Sequence, residues 1–182
     1  SLGEVLDPPW TIIEGAGALP TASFAAGVPV VVPDGVRDLR FRPEHCPSID
    51  EASATGFEAH RVRGMDIMMV KAGEHRLRCA ILPLMHPGAV LGPGCIALRA
   101  DHRRCNPFYL NNVLHHYLHI GYLDQEVSAD GVVDPARLLS LNIPLPPPDE
   151  QRRMADRLLN ISARIVDAEE ALAAAGRISE VF

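Results

Sequence analysis

The chain has 182 residues, of which 47% are hydrophobic, so it can hold one domain of about 150 residues and one long helix, but not two full domains. Its net charge of −6 counts against nucleic-acid binding, because attraction to phosphates normally requires an excess of Lys and Arg. No apolar run approaches the roughly 20 residues that span a bilayer, and no signal peptide is recognisable, which favours a soluble cytoplasmic protein without membrane contact. The four cysteines form no CxxC pair, so we expect reduced core thiols.

Short strands are predicted for the N-terminal part of the chain. The apolar run Val28 to Val32 contains Pro29, which cannot donate to a sheet ladder, so this strand is expected near a sheet edge. Further strands are predicted for Ile67 to Val70, Cys79 to Leu84 and Ile96 to Leu98, separated by Gly and Pro turns. Alternating βαβ units are absent, which counts against a doubly wound nucleotide-binding sheet.

One internal helix, one hairpin turn and one last strand are predicted further along. The helix runs from Asn106 to Ile120, and its buried side is expected to consist of Phe108, Val113, Tyr117 and Ile120. Asp130-Gly131 lies between apolar flanks and predicts a hairpin turn. The alternating segment from Leu138 to Leu145 predicts a short strand.

A proline-rich junction and a second helix end the chain. Pro144 and the run Pro146 to Pro148 remove backbone donors, so neither strand nor helix can cross them, whereas Asp149 and Glu150 suit the first turn of a new helix. Apolar residues then recur in alternating steps of four and three, which indicates coiled-coil pairing. The seam consists of Met154, Leu158, Ile161, Ile165, Ala168 and Leu172, continuing to Ala175, and Gly176 is a plausible terminator. The alternative is a helix that lies on its own domain.

Positive charge is concentrated in the middle of the chain. Residues 37–104 carry eleven basic and eight acidic side chains, whereas both flanking regions are acidic. Nearly all of these bases are arginines, which can bond guanine edges or phosphates in a forked geometry. The candidate DNA-binding residues are Arg37, Arg40, Arg42, Arg61, Arg63, Arg76, Arg78, Arg103 and Arg104. The alternative for each pair is a solvated strand face.

Two motifs suggest catalytic chemistry, but neither is supported by its surroundings. Asp7-Pro8-Pro9-Trp10 spells a signature of N6-adenine methyltransferases, yet no cofactor-binding core accompanies it, so a proline turn is favoured. His115 and His119 have the spacing of two zinc ligands, with His102 or Cys105 as a conceivable third. The glutamate of a metalloprotease helix is missing, however. We therefore predict no catalytic residue, no metal and no cofactor.

The junction carries a resemblance to a known family. The segment from Leu138 to Ile165 reads LLSLNIPLPPPDEQRRMADRLLNISARI and resembles the point in type I restriction-modification specificity subunits where a target recognition domain meets a spacer helix. The positions that match the family pattern are Leu145, Pro146, Pro147, Glu150 and Gln151. Upstream, Leu2 to Leu6, Gly27 to Val31 and Gly64 to Val70 resemble its opening, early strand and central strand. One departure is Met65, which separates a Gly and an Asp that are usually adjacent.

The resemblance implies an α+β fold and a binding function. It implies a twisted, mixed but mostly antiparallel β-rich target recognition domain with few helices over residues 1–147, and a long coiled-coil-type helix over 148–182. Such subunits have no catalytic residues of their own; they read a bipartite double-stranded DNA target and hold adenine methyltransferase subunits, and in some complexes a translocating nuclease, on it. The C-terminal helix would pair with a second recognition unit or a second copy of the chain.

Four alternatives stay open at the level of sequence. Because the chain begins at Ser1 and carries one domain and one helix, we expect either a half-subunit that pairs with itself or the equivalent C-terminal region of a fused N6-adenine DNA methyltransferase. A catalytic methyltransferase fragment would use Asp7 to Trp10 and bind its cofactor. A coiled-coil adaptor without DNA binding would fit the acidic net charge.

Overall fold

Two four-stranded sheets and one hairpin form the described β-structure. The computed structural model describes residues 1–8, 12–19, 27–37, 39–86, 88–161 and 164. The strands are β1 (Ile12–Glu14), β2 (Val28–Val31), β3 (Val36–Arg37), β4 (Arg40–Phe41), β5 (Ser48–Ile49), β6 (Arg61–Val62), β7 (Ile67–Val70), β8 (Cys79–Ile81), β9 (Ala89–Leu91) and β10 (Cys95–Leu98). The first sheet has the order β1-β10-β7-β8, the second β5-β2-β9-β6, and β3 pairs with β4.

The described helices are α1 (Glu51–Ala54), α2 (Pro107–His119), α3 (Pro135–Ser140) and α4 over 148–161, with residue 164 also helical. The β2–β9 pair is parallel, and the other strand pairs are antiparallel. The predicted α+β class with mixed, mostly antiparallel sheets is therefore confirmed. No helix in the described part of the chain is both long and apolar enough for a bilayer crossing.

Strand β7 shows why the sheets stack. Its four residues are all buried, because alternate side chains face opposite sides of the first sheet and both sides are covered. Ile67 and Met69 join one apolar cluster with side chains of α2 and α3, whereas Met68 and Val70 join a second cluster with residues of the second sheet. The molecule therefore has a helical layer on one side of the first sheet and the second sheet on the other.

Several predicted elements are found as expected. Strand β7 has the predicted limits, and β2, β8 and β10 lie within a residue or a few residues of theirs. The hairpin turn is present as an antiparallel bridge between Val127 and Val133, with Gly131 at φ +79°. The four cysteines are all buried thiols outside any disulfide, as predicted, and burial raises the pKa of Cys95 to about 12.

The strand predicted from Leu138 to Leu145 is wrong. The side chain of Asp134 accepts hydrogen bonds from the N–H groups of Ala136 and Arg137, at 2.9 and 3.4 Å, and Pro135 occupies the first helical position. These two signals start α3, which ends at Ser140, and residues 141–147 form no regular element. The helix cap at Asp134 therefore determines the local structure, and the apolar alternation that begins at Leu138 does not produce a strand.

Two further predictions are only partly right. Strand β2 is not at an edge, because β5 and β9 flank it; Pro29 lies opposite Ser48 of the two-residue strand β5, and Val30 supplies the N–H that reaches Pro47 O at 2.7 Å. Helix α2 begins at its Asn106 cap as expected, and the predicted Phe108, Val113 and Tyr117 pack half-buried against the core. Its fully buried residues are instead Pro107, Tyr109, Leu110, Asn111 and Leu114. Because polar Asn111 interrupts the apolar pattern of this buried face, the sequence does not reveal it. Ile120, which was predicted to be buried, is 58% exposed.

Candidate nucleic-acid interface

Four of the nine predicted arginines lie along one surface groove. Three adjoining depressions share walls: the first is bordered by Arg61 and Arg63, the second by Arg63 and Arg103, and the third by Arg103 and Arg104. We call this surface the basic groove, and its arginines are Arg61, Arg63, Arg99, Arg103, Arg104 and Arg152. Its acidic residues are Asp7, Glu58, Asp101 and Asp156. The groove thus gathers cationic groups from β6 and the residue after it, the residue after β10, the loop before α2, and α4.

A buried ion pair supports one end of the groove. Arg99 donates to both carboxylate oxygens of Asp66, at 2.8 and 2.7 Å, and the two side chains are only 12% and 2% exposed. The hydrogen bonds to Asp66 raise the pKa of Arg99. The same carboxylate accepts the N–H of Arg63 at 2.9 Å, and Arg99 reaches Arg61 O at 3.5 Å. The pair therefore fixes the backbone that carries Arg61 and Arg63.

The side chains of Arg61 and Arg63 remain available at the surface. Arg63 is 65% exposed and lies 3.6 Å from Asp7, and Arg61 lies 3.3 Å from exposed Glu58. Exposed ion pairs of this kind contribute little, so a phosphate can replace the carboxylate at small cost. The N–H of Arg103 donates to Asp101 at 3.0 Å, and Arg104 donates to the carbonyl of Glu4. These bonds hold the loop that precedes α2.

The insertion seen in the sequence at Met65 has a structural explanation. Gly64 lies against the backbone of Leu84, where an added Cβ would be 2.4 Å from the Leu84 oxygen, so no larger residue fits without movement. Met65 then adopts a φ of +76°, and its N–H donates to Leu82 O at 2.9 Å. This turn delivers Asp66 to Arg99 at the start of β7.

The other five predicted arginines form a separate group, which we call the hairpin group: Arg37, Arg40, Arg42, Arg76 and Arg78. Arg37 and Arg40 face each other in the β3–β4 pair. The turn between those strands reaches the start of β8, where the Leu39 N–H donates to Cys79 O at 3.0 Å. Arg76 and Arg78 belong to the turn that leads into β8. None of these five lines the basic groove.

Helix α4 is attached to the domain by a glutamine that the family pattern contains. Gln151 is 1% exposed; its amide nitrogen donates to Pro146 O at 2.9 Å and Arg104 O at 3.3 Å, and its amide oxygen accepts the N–H of Asn106 at 2.8 Å. Asn106 in turn caps α2 through bonds to Phe108 and Tyr109. Gln151 therefore joins the proline segment, the Arg104 loop and the start of α2.

The predicted helix seam lies beside this attachment. Met154 and Ile161 are 43% and 52% exposed, Leu158 is half-buried, and Ala155 on the adjacent face is 1% exposed. The first turns of α4 thus pack on the domain through Gln151 and Ala155, and part of the apolar stripe stays exposed. Ile165, Ala168 and Leu172 lie outside the described residues, as do Ala175 and Gly176.

The motifs set aside as catalytic show no assembled site. Asp7 donates its N–H to Arg99 O at 2.8 Å and pairs with Arg63, while Pro9 and Trp10 lie outside the described residues. His115 and His119 do approach each other, with 3.1 Å between their Nε2 atoms. Within the described ranges, however, no group of three His, Cys, Asp or Glu residues is arranged to hold a metal.

Sequence reasoning missed Arg99 and Asp66. Arg99 ends an apolar strand and gave no charge pattern of its own, and its partner is 33 residues away in sequence. The Gly64-Met65-Asp66 departure was the one available signal. Gln151 was noted only as part of the junction pattern, because its three partners come from segments that only the fold brings together.

Two solved structures show which class of protein this chain resembles. One match is a chain from a study of the structural basis of complex assembly and conformational transition of the type I R-M system; it is 25% identical, with a TM-score of 0.64, over 94% of this chain and 40% of the matched chain. Another is the HsdS subunit from Thermoanaerobacter tengcongensis, 26% identical, with a TM-score of 0.62, over 93% of this chain and 38% of the matched one.

Both matched chains are HsdS specificity subunits, so the predicted resemblance to type I restriction-modification specificity subunits is confirmed. Subunits of this class are non-catalytic, in agreement with the prediction of a component that is not an enzyme. The present chain spans about two fifths of the length of these relatives. No family model and no curated protein sequence matches it.

Proposed function

We propose that this chain is a DNA-recognition unit of a type I restriction-modification system, in which residues 1–147 read double-stranded DNA and the helix over 148–182 sets the distance to a second unit. The observation that carries the proposal is the match of nearly the whole chain to HsdS subunits, at 94% and 93% coverage. The chain itself would be non-catalytic and would act in the cytoplasm, beside its DNA.

The basic groove supports DNA binding despite the acidic net charge. Affinity for a duplex depends on the local arrangement of cations along its phosphates rather than on the sum over the chain. Arg61, Arg63, Arg103 and Arg104 follow one another along the groove, so they can contact successive phosphates. We propose that the hairpin group, which does not line the groove, forms a second contact.

The attachment of α4 supports a spacer role. Because Gln151 bonds the start of the helix to the proline segment and the Arg104 loop, the helix leaves the domain in a fixed direction. We propose that the exposed stripe beginning with Met154 and Ile161 pairs with a second helix, either of another copy of this chain or of a second recognition unit. The adenine methyltransferase (modification) subunit is the further partner we propose, and a length of two fifths of the relatives fits one of two such units.

The test is sequence-selective, salt-dependent DNA binding by the full chain. Duplexes selected from a randomised library are compared with a scrambled duplex by fluorescence anisotropy over a range of salt concentrations. We expect tighter binding to the selected sequence and an affinity that falls linearly with salt on logarithmic axes.

Variants then assign the surface. Replacing Arg61→Gln together with Arg63→Gln should reduce the salt slope by about two, since each lost phosphate contact removes about one. Arg153→Gln, at an exposed position of α4 outside the groove, is the matched control and should leave the slope unchanged. Absence of duplex binding, or equal affinity for all sequences without salt dependence, would overturn the proposal and favour the adaptor.

A further inference from the structure

An apolar tip projects from the connection between β8 and β9. Leu84 and Met85 are 67% and 90% exposed, the two highest values among the large exposed hydrophobic side chains of the described residues. Single exposed apolar residues are ordinary, but two adjacent ones at a turn beside a functional surface indicate a contact with something else. We call Leu84 and Met85 the apolar tip.

The backbone of the tip is fixed rather than free. The His86 N–H donates to Pro83 O at 3.0 Å and closes a turn, and the His86 ring packs edge-on against Phe41 with 5.6 Å between ring centroids. The antiparallel pairing of β7 with β8 continues into it, since the Leu82 N–H donates to Asp66 O at 2.9 Å. Gly64 then contacts the backbone of Leu84. The tip is therefore held against the segment that the Asp66–Arg99 pair supports.

The surroundings of the tip include two exposed arginines and two aspartates. Leu84 borders the same depression as Arg63 and Arg103, so an apolar side chain shares this surface with two exposed arginines of the basic groove. The acids of that depression are engaged, Asp7 with Arg63 and Asp101 with the N–H of Arg103. Arginines that flank an apolar point match duplex DNA, where phosphates border a groove whose floor carries the C5-methyl groups of thymine.

We propose that the apolar tip reads thymine: Leu84 and Met85 contact C5-methyl groups in the major groove, while Arg63 and Arg103 hold the flanking phosphates. This assignment rests on the proposed DNA recognition function and gives it a residue-level basis. Because van der Waals contact with a methyl group involves no charge, the tip contributes to sequence discrimination but not to salt dependence.

The experiment removes the methyl group and the tip in turn. In the duplex selected by the full chain, thymines are replaced one at a time by deoxyuridine, which lacks only the C5-methyl group. Affinities are measured for the unmodified protein, for the double variant Leu84→Ala with Met85→Ala, and for Ile120→Ala, which truncates an exposed apolar residue at the end of α2. Since all three side chains are exposed, the variants should keep the melting temperature of the parent protein.

We expect at least one deoxyuridine position to weaken binding by the unmodified protein about fourfold, the equivalent of one buried methyl-sized group. The double variant should lose a similar factor for the thymine duplex, should bind the two duplexes equally, and should keep the parental salt slope. Ile120→Ala should behave as the unmodified protein.

If the double variant discriminates as its parent does while Arg63→Gln still weakens binding, the thymine contact is wrong, the tip faces a protein instead, and DNA recognition stands. If the unmodified protein binds no duplex, both proposals fail.

Discussion

The groove arginines and the hairpin group differ in how well the backbone that carries them is supported. The groove arginines Arg61 and Arg63 are carried by a backbone segment that accepts one hydrogen bond from the nearly buried Arg99 guanidinium and donates one to the buried Asp66 carboxylate, and two further hydrogen bonds join Arg99 to Asp66. The hairpin group is carried by two-residue strands and a turn, with exposed partners such as Asp34 for Arg37 at 3.5 Å. The groove arginines are thus carried by a backbone segment with buried hydrogen-bonded support, whereas the arginines of the hairpin group are carried by short segments with exposed ion pairs. Pre-organisation lowers the cost of ordering side chains on binding, so we expect the groove to dominate DNA affinity.

The largest expected effect comes from removing the support of the groove. Asp66→Ala leaves Arg99 buried without its partner, and we expect the free energy of unfolding to fall by about 3–5 kcal/mol, measured by urea denaturation. Adding Arg99→Met should recover part of the loss, because the unpaired charge is then gone.

Asp34→Ala is the matched control on the hairpin side. Its carboxylate is 67% exposed, so removing the ion pair with Arg37 should cost less than about 1 kcal/mol. Equal losses of unfolding free energy for Asp66→Ala and Asp34→Ala would show that the backbone beneath the groove arginines is no better supported than that of the hairpin group.

The second effect concerns the link between the domain and α4. Gln151→Ala leaves the N–H of Asn106 and two carbonyls without their partner, and we expect a loss of about 2 kcal/mol in the free energy of unfolding. Cleavage by a protease near residue 148 should become faster in the native state, because the start of the helix is released. Gln125→Ala, at an exposed position, should change neither measurement. Unaltered cleavage in Gln151→Ala would show that α4 is held by other contacts.

The outcome at these sites shows which parts of the structure the sequence could predict. Strand β7, the start of α2 at Asn106 and the turn at Gly131 depend on neighbouring residues, and local patterns predicted all three. The buried face of α2 was predicted only in part: Phe108, Val113 and Tyr117 pack half-buried against the core, but the fully buried side includes Asn111, a polar residue where periodicity requires an apolar one.

The hydrogen-bonded pairs that support the candidate site could not be predicted from the sequence, for a different reason. Arg99 lies 33 residues from Asp66, and Gln151 lies 45 residues from Asn106, so no window of the sequence contains both partners. The nine arginines could be chosen from the distribution of charge along the chain. Their division into two groups depends on how β6, the loop before α2 and the β3–β4 hairpin are placed by the fold.

The third effect concerns self-association through α4. Ile161 is 52% exposed, so Ile161→Glu should leave the domain folded but place a charge in the proposed helix pairing, weakening association at least about tenfold in analytical ultracentrifugation. Asn160→Glu introduces the same charge at the neighbouring exposed position, away from the apolar stripe, and should not alter association. A chain that is monomeric at every concentration would contradict pairing with a second copy.

The smallest effect separates the two arginine groups directly. Replacing Arg63 and Arg103 by Gln should lower affinity for the selected duplex about tenfold and reduce the salt slope by about two, whereas replacing exposed Arg42 and Arg76 should lower the slope by about one or less. Because no arginine of the hairpin group lines the groove, the effects should add in the variant that carries all four substitutions. Equal slopes for the two pairs would show that the hairpin group contacts DNA as firmly as the groove. A larger loss than the sum would indicate that both pairs act on one shared stretch of phosphates, and the two surfaces would then have to be treated as a single interface.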